Sequence, residues 1–337
     1  MKSHYIKEIF RSFVNQDKEK FLQNAYALIS DERKLNHQLF ANELKDIIEQ
    51  VDIRPSMVQE VDYSKSYKKN MPIPRDNEKG FPLLELKEFN LSWNDLIMSD
   101  EKKTHLHSIE KGFWNKEILS SYGIKPKQKV LFYGVPGTGK TLTAKILSCV
   151  LGYPLVYVRF DAIVSSYLGE TATNLKKIFD FIEKGQWVVL LDEFDVVGKH
   201  RDDQYEHGEI KRVVNNFMQL LDSFNGDSLI IAATNHEQLL DPGLWRRFDD
   251  IIHFELPDEF EREKLFQFYF KSVKKVNLDY LKLAELSIGL SAADITQIVY
   301  ESIRKMIIEN KSDITIELIS DIIEMFLKRK KLEPKKI

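Results

Sequence analysis

The chain has 337 residues, 43% hydrophobic and 30% charged, with a formal net charge of −3. That is an ordinary balance for a folded chain with room for two or three domains, and it carries no basic stripe with interleaved aromatics, which argues against nucleic acid as a partner. No apolar run reaches the roughly 18–20 residues of a membrane helix, no signal-peptide pattern opens the chain, and the single cysteine, Cys149, leaves no disulfide or zinc framework, so a cytoplasmic protein without a membrane partner is expected.

In chain order, three helical faces come first: Ile6, Ile9, Phe10, Phe13 and Val14; then Phe21, Leu22, Ala25, Tyr26 and Ile29; then Leu35, Leu39, Phe40, Leu44, Ile47, Ile48 and Val51. Arg54-Pro55 closes the third, because a residue before proline avoids the helical basin. A small helical domain is expected over 1–62, followed by a linker over 63–90, where lysines, three prolines and a glycine show little periodicity. His105 and His107 sit in a helical region without a matching carboxylate or cysteine set and read as surface residues. Cys149 reads as a small buried hydrophobe.

The apolar run Val130-Leu131-Phe132-Tyr133 leads into Gly134-Val135-Pro136-Gly137-Thr138-Gly139-Lys140-Thr141, and a helical stretch over 142–150 follows. Strand, glycine-rich turn and helix N-terminus together make a phosphate-binding loop. Its glycines let successive N–H groups face the phosphates, Lys140 reaches the β- and γ-phosphates, and Thr141 offers a hydroxyl to Mg²⁺. A nucleoside triphosphate with Mg²⁺ is therefore expected as the ligand.

Val188-Val189-Leu190-Leu191 reads as a strand buried on both faces and ends in Asp192-Glu193. The first carboxylate suits the Mg²⁺ shell, in part through water, and the second suits a water attacking the γ-phosphate. A third strand, 228–233, ends in Thr234-Asn235; an Asn closing a strand is more often a turn residue, and it is its place after the second strand that makes its amide a candidate for the ligand side of an open α/β sheet. The strands expected overall are 129–133, 154–158, 187–191, 228–233 and 250–255, alternating with helices in a doubly covered parallel α/β sheet. Beyond Pro257 the pattern is helical: 260–273, 278–286, 292–308 and 314–327. The tail Lys328-Arg329-Lys330-Lys331 reads as a solvated helix end favoured by the helix dipole.

The ordered motifs GVPGTGKT, VVLLDEFD, AATN and Asp241-Pro242-Gly243-Leu244-Trp245-Arg246-Arg247-Phe248-Asp249 resemble those of the AAA clade of AAA+ ATPases, over about residues 90–330. The resemblance implies a P-loop NTPase core with strand order 5-1-4-3-2 over 91–256 and a helical lid over 257–337. Gly134, Pro136, Gly137, Thr138, Gly139, Lys140, Thr141, Leu142 and Asp192 would contact ATP, with Asn235 as sensor 1 and Glu193 as the catalytic carboxylate. The entry segment Ser92-Trp93-Asn94-Asp95-Leu96-Ile97 would meet the adenine, making Leu96 and Ile97 candidates for that pocket, with packing of the segment on the core as the equal alternative. Gly289-Leu290-Ser291-Ala292-Ala293-Asp294-Ile295 resembles the clade's lid-helix start, with Ala292 in place of a glycine; Ala292 joins the adenine candidates.

The family's arginine-finger segment is shortened here to Leu244-Trp245-Arg246-Arg247-Phe248-Asp249. Arg247 keeps the place before Phe-Asp, and Arg246 is the second candidate. In ring AAA proteins such a finger completes a neighbour's site, so a homo-oligomer, by analogy a hexamer, is implied. The alternative is that both arginines merely pair with Asp249 and Asp250 on one surface. Ser166-Tyr167-Leu168-Gly169-Glu170, before a helix expected near Thr171, resembles the aromatic–hydrophobic–glycine loop lining the pore of protein-translocating rings, with local core packing as the alternative for Tyr167 and Leu168. The polar run 198–207 is read either as a second pore loop or as solvated loop.

Two readings of function follow. One is a ring motor that remodels or unfolds polypeptides threaded past Tyr167-Leu168-Gly169, with the N-terminal domain choosing substrate or partner. The other is a regulatory ATPase switch acting on a partner enzyme, since compact AAA chains of this appearance resemble a bacterial group often encoded beside subtilisin-like serine peptidases, in phage defence. A DNA-dependent motor ranks below both.

Overall fold

The computed structural model describes residues 71–77, 80–159, 168–194, 207–236, 238, 242–271, 273, 278–310 and 313–332, with Asn24, Ala27 and Leu28. The chain divides into two units, Met1–Pro55 and Ser56–Ile337. Of the first unit only those three helical residues are described, so the domain expected over 1–62 lies almost wholly outside the described residues.

In the second unit six strands form one sheet: β1 (Leu84–Lys87), β2 (Lys129–Gly134), β3 (Leu155–Val158), β4 (Val188–Leu191), β5 (Leu229–Thr234) and β6 (Asp250–Phe254). Their spatial order is β1-β3-β4-β5-β2-β6. Taken without β1, and read from the β6 edge, this is the 5-1-4-3-2 order expected from the sequence. All pairings are parallel except β1 on β3.

The sheet is sandwiched because its central strands are apolar on both faces. Val189 and Leu191 of β4 and Ile230 and Ala232 of β5 point into one core, closed by α4 (Leu168–Ile182) and α5 (His207–Ser223) through Ile178, Phe179, Phe217 and Leu221. Val188, Leu190, Leu229 and Ile231 point into the other, closed by α1 (Asp100–Trp114) and α3 (Lys140–Leu151) through Leu106, Ile109, Ile146 and Leu147. The short α2 (Lys116–Ser121) follows α1, and α6 (Pro242–Trp245) precedes β6.

The linker expected over 63–90 is corrected in its second half. Leu84–Lys87 is a strand, paired antiparallel from Leu84 opposite Val158 to Lys87 opposite Leu155. Leu83 and Leu84 are completely buried, contributing about 3–6 kcal/mol together, against about 1–2 kcal/mol per residue to order the backbone. Burial alone does not carry four residues; pairing with β3 does. Pro82, just before the strand, is tolerated at an edge.

Beyond Pro257 the chain is helical: α7 (Glu259–Phe270), α8 (Tyr280–Leu286), α9 (Ala292–Ile308) and α10 (Ile316–Leu332). Phe266, Phe270, Leu283, Ile295, Ile298, Ile319 and Ile322 form a third core within this group. Two of the helices begin with capping boxes, Asp258 with Glu261 and Ser291 with Asp294, which satisfy helix-start N–H groups that have no partner inside the helix.

Candidate active site

The carboxyl ends of β2, β4 and β5 converge on one cavity of about 550 Å³. The phosphate loop crosses it because two of its glycines are sterically required. Gly134 has φ 130°, and a Cβ there would lie 2.2 Å from the Phe254 carbonyl oxygen on the adjacent β6. Gly137 has φ 77°, and a Cβ would lie 2.6 Å from Ser291 Oγ at the start of α9. Neither backbone conformation nor space admits a side chain. Gly139 is the N-cap of α3, whose first turn has no side-chain cap. Its N–H groups are left for an anion, at the positive end of the helix dipole.

Lys140 opens α3 and is buried; its Nζ donates to the carbonyl oxygens of Gly134 (2.7 Å) and Val135 (2.8 Å). Thr141 Oγ1 donates to Asp192 Oδ2 at 2.8 Å, joining the helix start to the end of β4. This hydroxyl–carboxylate pair supplies the hard oxygen donors that Mg²⁺ takes, usually one or two from protein with the rest from phosphate and water. Among the described residues no cluster of three or more His, Cys, Asp or Glu could hold a metal by itself. Glu193 follows with φ 52°, in the left-handed region that a side chain enters at a cost of about 1–3 kcal/mol. Its N–H donates to Asp192 Oδ1 at 3.0 Å.

Pro136, Gly137, Gly139, Lys140, Thr141, Leu142, Asp192, Glu193, Asn235 and Ala292 all line this cavity. Gly134 and Thr138 shape the loop from outside it: Gly134 through its contact with β6, and Thr138 by donating from Oγ1 to the Val135 carbonyl at 2.7 Å. The other two adenine candidates are not in the lining. Leu96 is buried in the sheet core beside Gly139, and Ile97 packs against the core of the last four helices. Both face apolar neighbours, which is where a leucine and an isoleucine on an entry segment are most stable.

The far side of the cavity belongs to residues the sequence reading did not single out: Tyr269, Ala293, Thr296, Gln297 and Tyr300. Tyr269 hydrogen-bonds Thr296, and burial, against that bond, pushes its hydroxyl pKa upward. Tyr300 meets the Tyr269 ring edge-on at 6.0 Å. A signal was present, because positions 292, 293, 296, 297 and 300 share one face of a helix, so placing Ala292 at the site brings the other four with it.

Neither arginine lines the cavity. Arg247 Nε donates to Asp222 Oδ2 on α5 at 2.9 Å, and its Nη1 donates to the Gly243 carbonyl at 2.8 Å, while Arg246 is exposed. The expected alternative partners are engaged elsewhere. Asp249 Oδ2 accepts from the N–H groups of Gln128 and Lys129, and Asp250 Oδ2 accepts from Lys127 and meets His105 Nε2. His105 and His107 thus do have carboxylate partners, Asp250 and Glu110, each at 2.8–2.9 Å. The sequence could not pair His105, because Asp250 is 145 residues distant, whereas Glu110 stands three residues after His107 and its i,i+3 spacing was there to be read. Cys149 is half-buried, with Sγ donating to the Phe89 carbonyl.

Tyr167 lies outside the described residues, as do 198–206. Leu168 and Gly169 are the first residues of α4, which begins three positions before the start expected near Thr171. Glu170 in the first turn favours that earlier start. No helix among the described residues is long and apolar enough to cross a membrane.

Fold and cavity together define a P-loop ATPase. A family model described as "ATPase family associated with various cellular activities (AAA)" matches residues 130–256. The chain is 34% identical over 296 residues, 88% of its length and 87% of the relative's, to the uncharacterized AAA family ATPase y4kL of Sinorhizobium fredii. It belongs to the AAA family of ATPases and hydrolyses ATP. The proteasome-activating nucleotidase of Saccharolobus solfataricus is 33% identical over 258 residues, 73% of this chain and 65% of that one. That of Pyrococcus abyssi is 34% identical over 247 residues, 71% of this chain and 62% of its own. The chain thus spans a little under two thirds of either nucleotidase. Among solved structures the AAA domain of FIGL-1 matches with a TM-score of 0.59 over 72% of this chain and 85% of that one, at 20% identity, a likeness of fold.

Proposed function

We propose that this chain is a cytoplasmic protein-remodelling ATPase whose active centre is completed between neighbouring copies in a ring. The observation that carries the reading is the make-up of the cavity: Lys140, Thr141, Asp192, Glu193 and Asn235 gather there, and among the described residues no arginine does. Phosphoryl transfer needs positive charge on the equatorial oxygens in the transition state. Arg247, half-exposed and paired with Asp222, would give that charge to a neighbour's nucleotide once it leaves that carboxylate.

Within one copy, the loop N–H groups take the phosphates and Lys140 exchanges its two loop carbonyls for phosphate oxygens. Thr141 and Asp192 would hold Mg²⁺, which supplies charge neutralisation on the phosphates. Glu193 polarises the attacking water, and the Asn235 amide orients it. Kinship with proteasome-activating nucleotidases supports a polypeptide as the thing acted on, gripped by Tyr167 in the segment before α4. The N-terminal residues 1–62 would choose it.

Mixing two inactive variants tests the shared centre. Glu193→Gln and Arg247→Ala should each bind ATP near normally and each lose about 10³-fold in turnover. Combined, they should recover activity, because a site formed by Glu193 of one copy and Arg247 of its neighbour is intact. No recovery, or loss of ATP binding by Arg247→Ala, overturns the reading.

A further inference from the structure

The last helix reaches the phosphate loop through a relay of contacts. Lys330, two residues from the end of α10, donates from Nζ to the Gly289 carbonyl at 2.7 Å and lies 3.4 Å from Asp294 Oδ2. That same carboxylate oxygen accepts from both the N–H and the hydroxyl of Ser291, at 2.8 Å each, as the cap of α9. One residue into α9, the Ala293 N–H donates to the Gly137 carbonyl at 3.0 Å, which ties the last four helices to the phosphate loop by a main-chain bond. Ser291 is buried against Gly137 with no room for a side chain between them.

We propose that Lys330 is a positioning residue for the nucleotide site, holding the corner Gly289–Asp294 so that Ala293 closes on Gly137 and the cavity keeps its shape. The proposal rests on the reading of this loop as the ATP site, and it gives the C-terminal helix control over nucleotide affinity. Lys330 is suited to the task because one ammonium serves both a carbonyl and a carboxylate, and a charged donor makes the stronger bonds. Its half-exposed position moderates the effect. Neighbouring Lys328 pairs with Glu324 on the same exposed helix face and provides the control.

The test titrates a fluorescent ADP analogue with Mg²⁺ into the full chain and into Lys330→Met, Lys330→Arg and Lys328→Met, with thermal midpoints measured without nucleotide. Lys330→Met should bind about fivefold more weakly, the size of one charged surface contact. KM for ATP should rise in proportion and kcat change less than twofold. Lys330→Arg should restore affinity, and Lys328→Met should bind as the native chain does. Unchanged affinity in Lys330→Met, equal weakening by Lys328→Met, no rescue by arginine, or an affinity that falls only together with the thermal midpoint would each overturn the proposal. A failure of all four proteins to bind nucleotide would instead overturn the assignment of the loop.

Discussion

At Gly134 a single hydrogen stands where any other residue would drive a carbon into a backbone oxygen. The clash distance of 2.2 Å involves main chain of β6, which cannot rotate away as a side chain would. Gly134→Ala should therefore lose at least about 2 kcal/mol of stability through overpacking and the unfavourable φ, readable as a lowered midpoint in urea. Gly80, which also has positive φ but nothing within 4 Å, should tolerate alanine better. The phosphate loop, Asp192 and Glu193 were legible in the sequence because their chemistry is contiguous and sits at strand ends. Tyr269, Gln297 and Tyr300 were not, because tyrosine and glutamine on helical stretches read as packing or solvent until the fold sets them beside the loop. Lys330 was hidden more deeply. In a run of four basic residues nothing marks the one whose ammonium turns inward to a carbonyl 41 residues away.

Among the elements, β6 is the edge strand opposite β1, and it is tied down at its first residue. Asp250 meets Lys127 before β2 and His105 on α1, both at 2.8 Å. Burial alone would push the Asp250 carboxyl up, but these two bonds outweigh it and hold the group below the usual carboxylate range. A carboxyl that ionises more readily when folded adds stability above its unfolded value, near pH 3.9, and that contribution is lost as pH falls through the lower folded value. Asp250→Asn should thus melt below the native chain at neutral pH, with the gap closing below about pH 4, as thermal scans across pH would record. Strands β2 to β5 were readable from their apolar runs, which a doubly covered sheet requires, while β6, interrupted by His253, was readable only from its place after them. β1 was not. Leu84-Glu85-Leu86-Lys87 does alternate, but over four residues only, too short to mark a strand by itself, and the strand exists because β3 is there to receive it.

For the molecule as a whole, two readings of the work done with ATP diverge at one side chain. If a polypeptide is gripped and pulled, Tyr167→Ala should keep basal ATPase within about twofold and lose most unfolding of a tagged fluorescent substrate, because an aromatic ring holds a chain by contact area. If the protein instead acts as a switch on a partner enzyme such as a serine peptidase, that substitution should leave partner activation intact. A machine of this sort would work in the company of unfolded chains, and β1 matters there. Lying across β3, it leaves a rim only four residues long, entered by a proline. Among the described residues a stray segment meets few ladder positions on that flank, and so short an edge discourages strand-to-strand association.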